Sequence, residues 1–283
     1  MTSLASDTLF TLVPYGASMT MYWVYDIPNW LFGVLTIGLF VAVGLLGLWL
    51  TRGLVQNLHT NHSHNDIVGF YLAGMAVFFG VALGLLAIGV WATYTDVQEK
   101  VSHEASALAG LYRDVGAYPE PVRSIMQDDL RRYTRSVIDV GWPMQQRGIV
   151  PNTSTDMLNE FQEHFMSFEP VTEGQKILAA ETYRAFNELA ESRRIRLNSV
   201  TDEMPGPMWS LIIFGSLICI ALTWFFHMPS LRMHLAMTTL LSAMLGLIIF
   251  QIAVLDNPYR GRVSVSPEPL EQVYQQTMVP GGK

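Results

Sequence analysis

Residues 67–94 read IVGFYLAGMAVFFGVALGLLAIGVWATY and carry no Asp, Glu, Lys or Arg. As a helix this stretch would run about 42 Å at 1.5 Å per residue, well beyond the roughly 30 Å of a bilayer core. Three more uncharged apolar runs, at 30–50, 207–226 and 235–255, reach the length of about 20 residues that a crossing needs. With no water in hydrocarbon, the backbone of such a run is satisfied only as a helix. The four runs are paired two and two around a polar insert of more than a hundred residues. This reads as an all-α polytopic membrane protein with four transmembrane helices and a helical insert.

The composition agrees. Half of the 283 residues are hydrophobic, only 14% are charged, and the mean hydropathy is +0.27. Soluble proteins average about 25% charged residues. Residues 95–206 hold 18 acidic against 12 basic side chains, so the insert supplies −6 of the net −7. No basic stripe with interleaved aromatics is present, so nucleic acid is not an expected partner. Arg131, Arg132 and Arg135 face Asp128, Asp129 and Asp139 within about one turn, the pattern of a solvated, ion-paired helix face. The single cysteine, Cys219, lies in the third run and reads as a small packing residue.

Five segments follow. Residues 1–29 carry an aromatic cluster (Tyr15, Tyr22, Trp23 and Tyr25) that Trp30 continues, suited to the headgroup level. They read as an interfacial segment. Residues 30–94 form the first hairpin, 95–206 the insert, 207–255 the second hairpin, and 256–283 a tail with Pro267, Pro269 and Pro280 that should be extended. No Lys or Arg precedes Arg52, so the first run reads as a retained anchor rather than a secretory signal.

The second span should not stop at the membrane. Val97, Val101, Ala105, Leu108, Leu111 and Val115 continue it at steps of three and four, predicting one helix from 67 to about 115. A stripe from Val122 to Val140 marks another helix, ending at Gly141-Trp142-Pro143. Thr153 or Ser154 should cap the next, and Thr172 with Gln175 reads as a capping box for a long helix to about 200. Lys100, Arg193, Arg194, Arg196, Arg260 and Arg262 flank one side of the membrane, against only Arg52 and Arg232 on the other. The excess predicts that both termini and the insert are cytoplasmic.

Chemistry-bearing motifs are sparse. His59, His62 and His64 are weak metal candidates whose spacing matches no closed zinc site. No nucleophile elbow, metalloprotease helix, phosphate loop or calcium loop occurs, so neither enzymatic activity nor a cofactor is expected. No ionisable residue lies inside the four runs, which argues against a proton-coupled transporter.

Several motifs line up together. They are His64-Asn65-Asp66, Val90-Trp91-Ala92-Thr93-Tyr94, His103-Glu104-Ala105, Leu111-Tyr112-Arg113, Tyr133 with Val137-Ile138, Trp142-Pro143, and Leu255-Asp256-Asn257-Pro258-Tyr259-Arg260-Gly261. In these the chain resembles a bacterial and plant family labelled bestrophin-like, across nearly its whole length. Tyr259 stands where that family usually has phenylalanine, and Gly141 where it usually has an acid. Bestrophins are pentameric anion channels with four spans, both termini inside and a pore lined by the second span. The resemblance therefore implies a homo-oligomer in a bacterial inner membrane. No match to the bestrophin neck or to its acidic calcium clasp is found.

On that basis the second span should line a central axis, with Phe78, Leu85 and Ile88 as a hydrophobic constriction and Asn65 and Asp66 at the pore entrance. An equally regular helix would instead turn Phe79 and Leu86 inward. An anion channel is the favoured expectation, because no acidic ring lies at that pore and the start of the second helix points its dipole at an entering anion. The alternative is a non-conducting scaffold or sensor whose insert recruits a partner. Glu104 and Arg113 are nine residues apart on one helix and should pair elsewhere, with Arg131, Arg135 and Asp139 available. Trp142, Pro143, Asp256 and Pro258 are assigned to structure and assembly.

Overall fold

The computed structural model describes residues 27–58 and 63–279. Among the described residues every regular element is helical. Helix α1 is Asn29–Leu58 and α2 is Ser63–Val115. The insert holds α3 (Val122–Ser136), α4 (Trp142–Gln146), α5 (Thr153–Met166) and α6 (Glu173–Asn198). The second hairpin is α7 (Gly206–Trp224) and α8 (Leu231–Leu255), and α9 is Glu268–Val273. Helices α1, α2, α7 and α8 each contain a stretch long and apolar enough to cross a membrane. Tyr15, Tyr22, Trp23, Tyr25, His59 and His62 lie outside the described residues.

Helix α2 is continuous over 53 residues, about 80 Å at 1.5 Å per residue. Its lower half is the spine of the insert. Val97, Val101, Leu108, Leu111 and Val115 are wholly buried, against Leu130 and Tyr133 of α3, Phe161 of α5 and Leu189 of α6. Each such side chain is worth about 1.5–3 kcal/mol of transfer free energy. Phe161 stacks on Phe186 with ring centroids 5.5 Å apart, which locks α5 onto α6. Asp129, buried on α3, accepts from Arg132 Nη2 and contacts His164 Nδ1 of α5, both at 2.6 Å.

In the membrane, α1 and α8 lie against one another because both present glycine. A Cβ at Gly246 would sit 2.9 Å from the Ile37 Cα, and one at Gly33 would press on the Phe250 ring. Gly215 of α7 is filled by the Phe79 ring of α2. Cys219 is buried and free, as its reading as a packing residue requires.

Four local expectations are corrected. The helix that begins at Val122 does not end at Gly141-Trp142-Pro143: it widens into a π-helical turn, Val137–Gly141, and continues as α4. The Trp142 N–H reaches back five residues to the Val137 carbonyl. A wide turn disrupts the usual donor ladder at this point, and Pro143 has no donor to lose. The start of α5 has Asn152 at the N-cap position, with no side-chain cap, rather than Thr153 or Ser154. The capping box of Thr172 and Gln175 on α6 is formed in both directions.

Arg131 and Arg135 are not part of an ion-paired face; they hold the tail, which is not extended. Beyond α9 it winds through a π-helical turn, Tyr274–Met278. Pro267 and Pro269 fall at the start of α9, where their missing donors have no intrahelical partner to lose. Leu270 and Met278 are buried in the insert core. The Met278 carbonyl accepts from Arg131 Nε at 2.9 Å, and the Arg135 guanidinium lies over the Tyr274 ring.

Candidate functional site

Two features could carry function: the face of α2 that its own protomer leaves uncovered, and the buried polar node where α2 meets the end of α8.

Phe78, Leu85 and Ile88 are 80%, 65% and 66% exposed. Steps of seven and three place them on one face of a helix. The alternative inward face is occupied within the chain. Phe79 fills the space beside Gly215, Leu83 is buried, and Leu86 packs on the same cluster. The glycines Gly74, Gly80, Gly84 and Gly89 have nothing within 4 Å of an added Cβ. Below Tyr94 the uncovered face turns polar, with Asp96, Glu99, Ser102 and His103 exposed. Asp96 lies eighteen residues beyond Phe78, five full turns at 3.6 residues per turn and about 27 Å along the axis.

At the other end of α2 the structure separates Asn65 from Asp66. The helix begins two residues earlier than Asn65, and that side chain does not cap it. Asn65 Nδ2 donates to the His227 carbonyl at 2.7 Å, and the His227 N–H donates back to Oδ1 at 2.8 Å. Its backbone-like amide pins the α7–α8 connection. His64 Nε2 lies 3.0 Å from the Phe225 carbonyl beside it. Asp66 is exposed in the first turn. No group of three metal-ligating side chains assembles among the described residues.

The buried node centres on Glu104, which is completely enclosed. Its carboxylate takes both Arg196 Nε and Nη2 of α6 and the Tyr133 hydroxyl at 2.7 Å. The partner is therefore Arg196, not Arg131, Arg135 or Asp139. Arg196 Nη1 continues to Gln145 Oε1 at 2.7 Å, and the guanidinium lies over the Trp142 ring. The π-helical turn is what brings Trp142 and Gln145 here. Burial, and then the neighbouring Glu104 carboxylate, push the Tyr133 phenol well above its ordinary pKa, so it stays a donor. Arg113 is exposed and enters none of the ion pairs seen among the described residues.

The segment after α8 closes the node from the membrane side. Tyr259 is buried with its ring 5.6 Å from that of Trp142, and its hydroxyl donates to the Arg196 carbonyl at 3.3 Å. Burial raises the Tyr259 phenol to about 12. Arg260 lies where a side chain on Gly148 would go; with φ at +74° that position suits glycine on both counts. Asp256 Oδ1 accepts from the Met204 N–H at 2.8 Å and Oδ2 from Trp209 Nε1 at 3.0 Å, tying α8 to the start of α7. Burial raises its pKa, and those two donors oppose the rise. Pro258 follows the end of α8, and its carbonyl accepts from the Val265 N–H at 2.8 Å.

Glu104, Trp142, Asp256 and Tyr259 are thus brought into one connected region, whereas Arg113 and Asp66 stand apart. Sequence reading missed Arg196 as a member. Its signal was position: it falls seven residues after Leu189 and four before Val200, on the buried stripe of α6.

The bestrophin-like domain family matches residues 38–270 of this chain. Solved structures of a bacterial bestrophin homolog from Klebsiella pneumoniae, each bearing a single substitution, share the fold. One superposes with a TM-score of 0.61 at 11% identity, covering 88% of this chain and 98% of that one. A second gives 0.61 at 12%, covering 86% and 97%. A further membrane-protein crystal structure matches at 0.60 and 11% identity over 87% and 98%. No curated protein sequence matches this chain.

Proposed function

The chain belongs to the bestrophin-like family, and from that premise we propose that it forms an oligomeric ion channel, a pentamer in outline, whose pore is lined by α2. The observation that carries the reading is the uncovered face of that helix: Phe78, Leu85 and Ile88 are exposed while the opposite face is filled by α7. Repeated around an axis, these side chains make an apolar constriction that gates by dewetting. The bilayer covers the outer faces of α1 and α8. The excess of basic residues beside the insert supports a bacterial inner-membrane protein with both termini cytoplasmic.

Anion preference rests on the amino-terminal dipole of α2 and on the absence of charge between Ile67 and Tyr94. A cation preference is favoured by one specific observation. Asp96 and Glu99 lie on the same face as Phe78 and would ring the cytoplasmic mouth. Planar-bilayer recording of the purified oligomer, with a potassium chloride gradient, separates the two by the sign of the reversal potential. Phe78→Ala should raise unitary conductance severalfold without dissociating the oligomer. An intact oligomer that passes no current at any pH, voltage or divalent-ion level overturns the channel and leaves the scaffold reading.

A further inference from the structure

A cavity of about 460 Å³ opens between α2 and the corner where α6 gives way to α7. Small-molecule sites span roughly 300–1,000 Å³. This one has two chemically distinct halves. Its floor is apolar and continuous with the membrane-spanning helices, with Leu86, Val90 and Met208 among its side chains. Asp96, Asp202, Glu203 and the buried Asp256 also line the cavity. Among the ion pairs seen between described residues, Lys100 is the ammonium that reaches this rim. Lys100 Nζ lies 2.8 Å from Asp96 and 3.9 Å from Asp202. The rim thus already accepts an amine at ion-pair distance and retains an excess of negative charge. Gly89 borders the cavity, and nothing lies within 4 Å of a Cβ added there, so packing against the rest of the chain does not account for the glycine.

We propose that this cavity binds a cationic amphiphile, with an alkyl-ammonium head among Asp96, Asp202 and Glu203 and the chain laid along Leu86, Val90 and Met208. The two halves demand both parts of such a molecule. An anionic amphiphile would bring like charge to the rim, and a small hydrated cation would leave the apolar floor empty. An aminolipid headgroup and a free alkylamine share this chemistry. Leu85 and Asp96 border this cavity as well as the face proposed to line the pore, and the site is told apart from conduction because its test is binding.

The test titrates decyltrimethylammonium, below its micellar concentration, into the intact oligomer in a maltoside detergent. Bound copies are counted by native mass spectrometry, with decyl sulfate and decanol as controls. One saturable site per chain for the ammonium, and none for either control, is expected. Asp202→Asn with Glu203→Gln, both exposed positions, should weaken binding about tenfold, each screened carboxylate contributing a few-fold. Gly89→Leu, which fills the cavity, should abolish it. Phosphatidylethanolamine co-purifying with the wild type and absent from the Gly89→Leu variant marks a lipid as the natural occupant. A lipid-free protein that still binds the probe marks a free amine. Equal uptake of decyl sulfate, or affinity indifferent to both sets of variants, overturns the site.

Discussion

On α1, a Cβ added at Gly47 would land inside the Trp224 indole, and one at Gly44 would strike Ser242 Oγ. On α2, a Cβ added at Gly74, Gly80, Gly84 or Gly89 would meet nothing within 4 Å. Both spans are rich in glycine, yet only the first uses it to let neighbouring helices of the same protomer approach. Trp224 Nε1 even donates to the Gly44 carbonyl at 2.9 Å, a bond available only because the backbone is bare there. The contrast recurs within α2 itself. Its membrane half is open along one face, whereas its insert half is closed around Glu104. Small residues in a membrane helix thus mark close approach only where a partner is present. Where none is present in the chain, the surface is left for lipid, for another copy, or for an axis.

The closed half should be the costlier to disturb. Glu104→Ala leaves the Arg196 guanidinium buried without its counter-charge, a loss of about 3–5 kcal/mol. In detergent this should appear as a large fall in the melting temperature of the purified protein, accompanied by dissociation. A variant that melts normally but loses activity would move Glu104 from architecture to function. Gly47→Leu comes next, at about 3 kcal/mol, the upper end of overpacking, since an indole and a backbone must both retreat. Arg131→Ala removes a charged donor to the Met278 carbonyl, worth about 2 kcal/mol. It should release α9 as faster hydrogen exchange and faster proteolysis after Val265, with the spans unaffected. The smallest effect sharpens the contrast most. Gly84→Ala should stabilise by roughly 0.5–1 kcal/mol through helix propensity alone if its face is open. A destabilised oligomer with an unperturbed protomer would instead reveal a neighbouring copy pressed against that face.

Much of this architecture is legible in the sequence. Length and lack of charge suffice for the spans, because hydrocarbon permits no other backbone solution. The continuation of α2 into the insert followed from unbroken spacing across Tyr94. The capping box at Thr172 followed from two residue types at a fixed offset. What escaped was whatever depends on partners distant in sequence. Arg196 lies ninety-two residues from Glu104, and its charge pointed to the membrane boundary rather than to a core. The π-helical turn at Val137–Gly141 hid behind Pro143, which normally ends a helix. The prolines of the tail suggested extension, but the helical start tolerates them, and Leu270 and Met278 supplied the apolar anchors. Asn65, expected at a pore entrance, has its amide committed to the α7–α8 loop, a partner 162 residues away.

The unbroken course of α2 has a mechanical consequence. A rod that crosses the membrane boundary near Tyr94 and is clamped below by Arg196 and Tyr133 behaves as a lever with its fulcrum at the headgroups. Phe78 lies sixteen residues above that fulcrum, an arm of about 24 Å. A tilt of about 5° imposed on the clamped end would sweep its ring sideways by about 2 Å on an arm of that length. Copies moving together around an axis would change the bore by twice that. Strain anywhere in the insert is thereby delivered, undiminished by any hinge, to the level of Phe78.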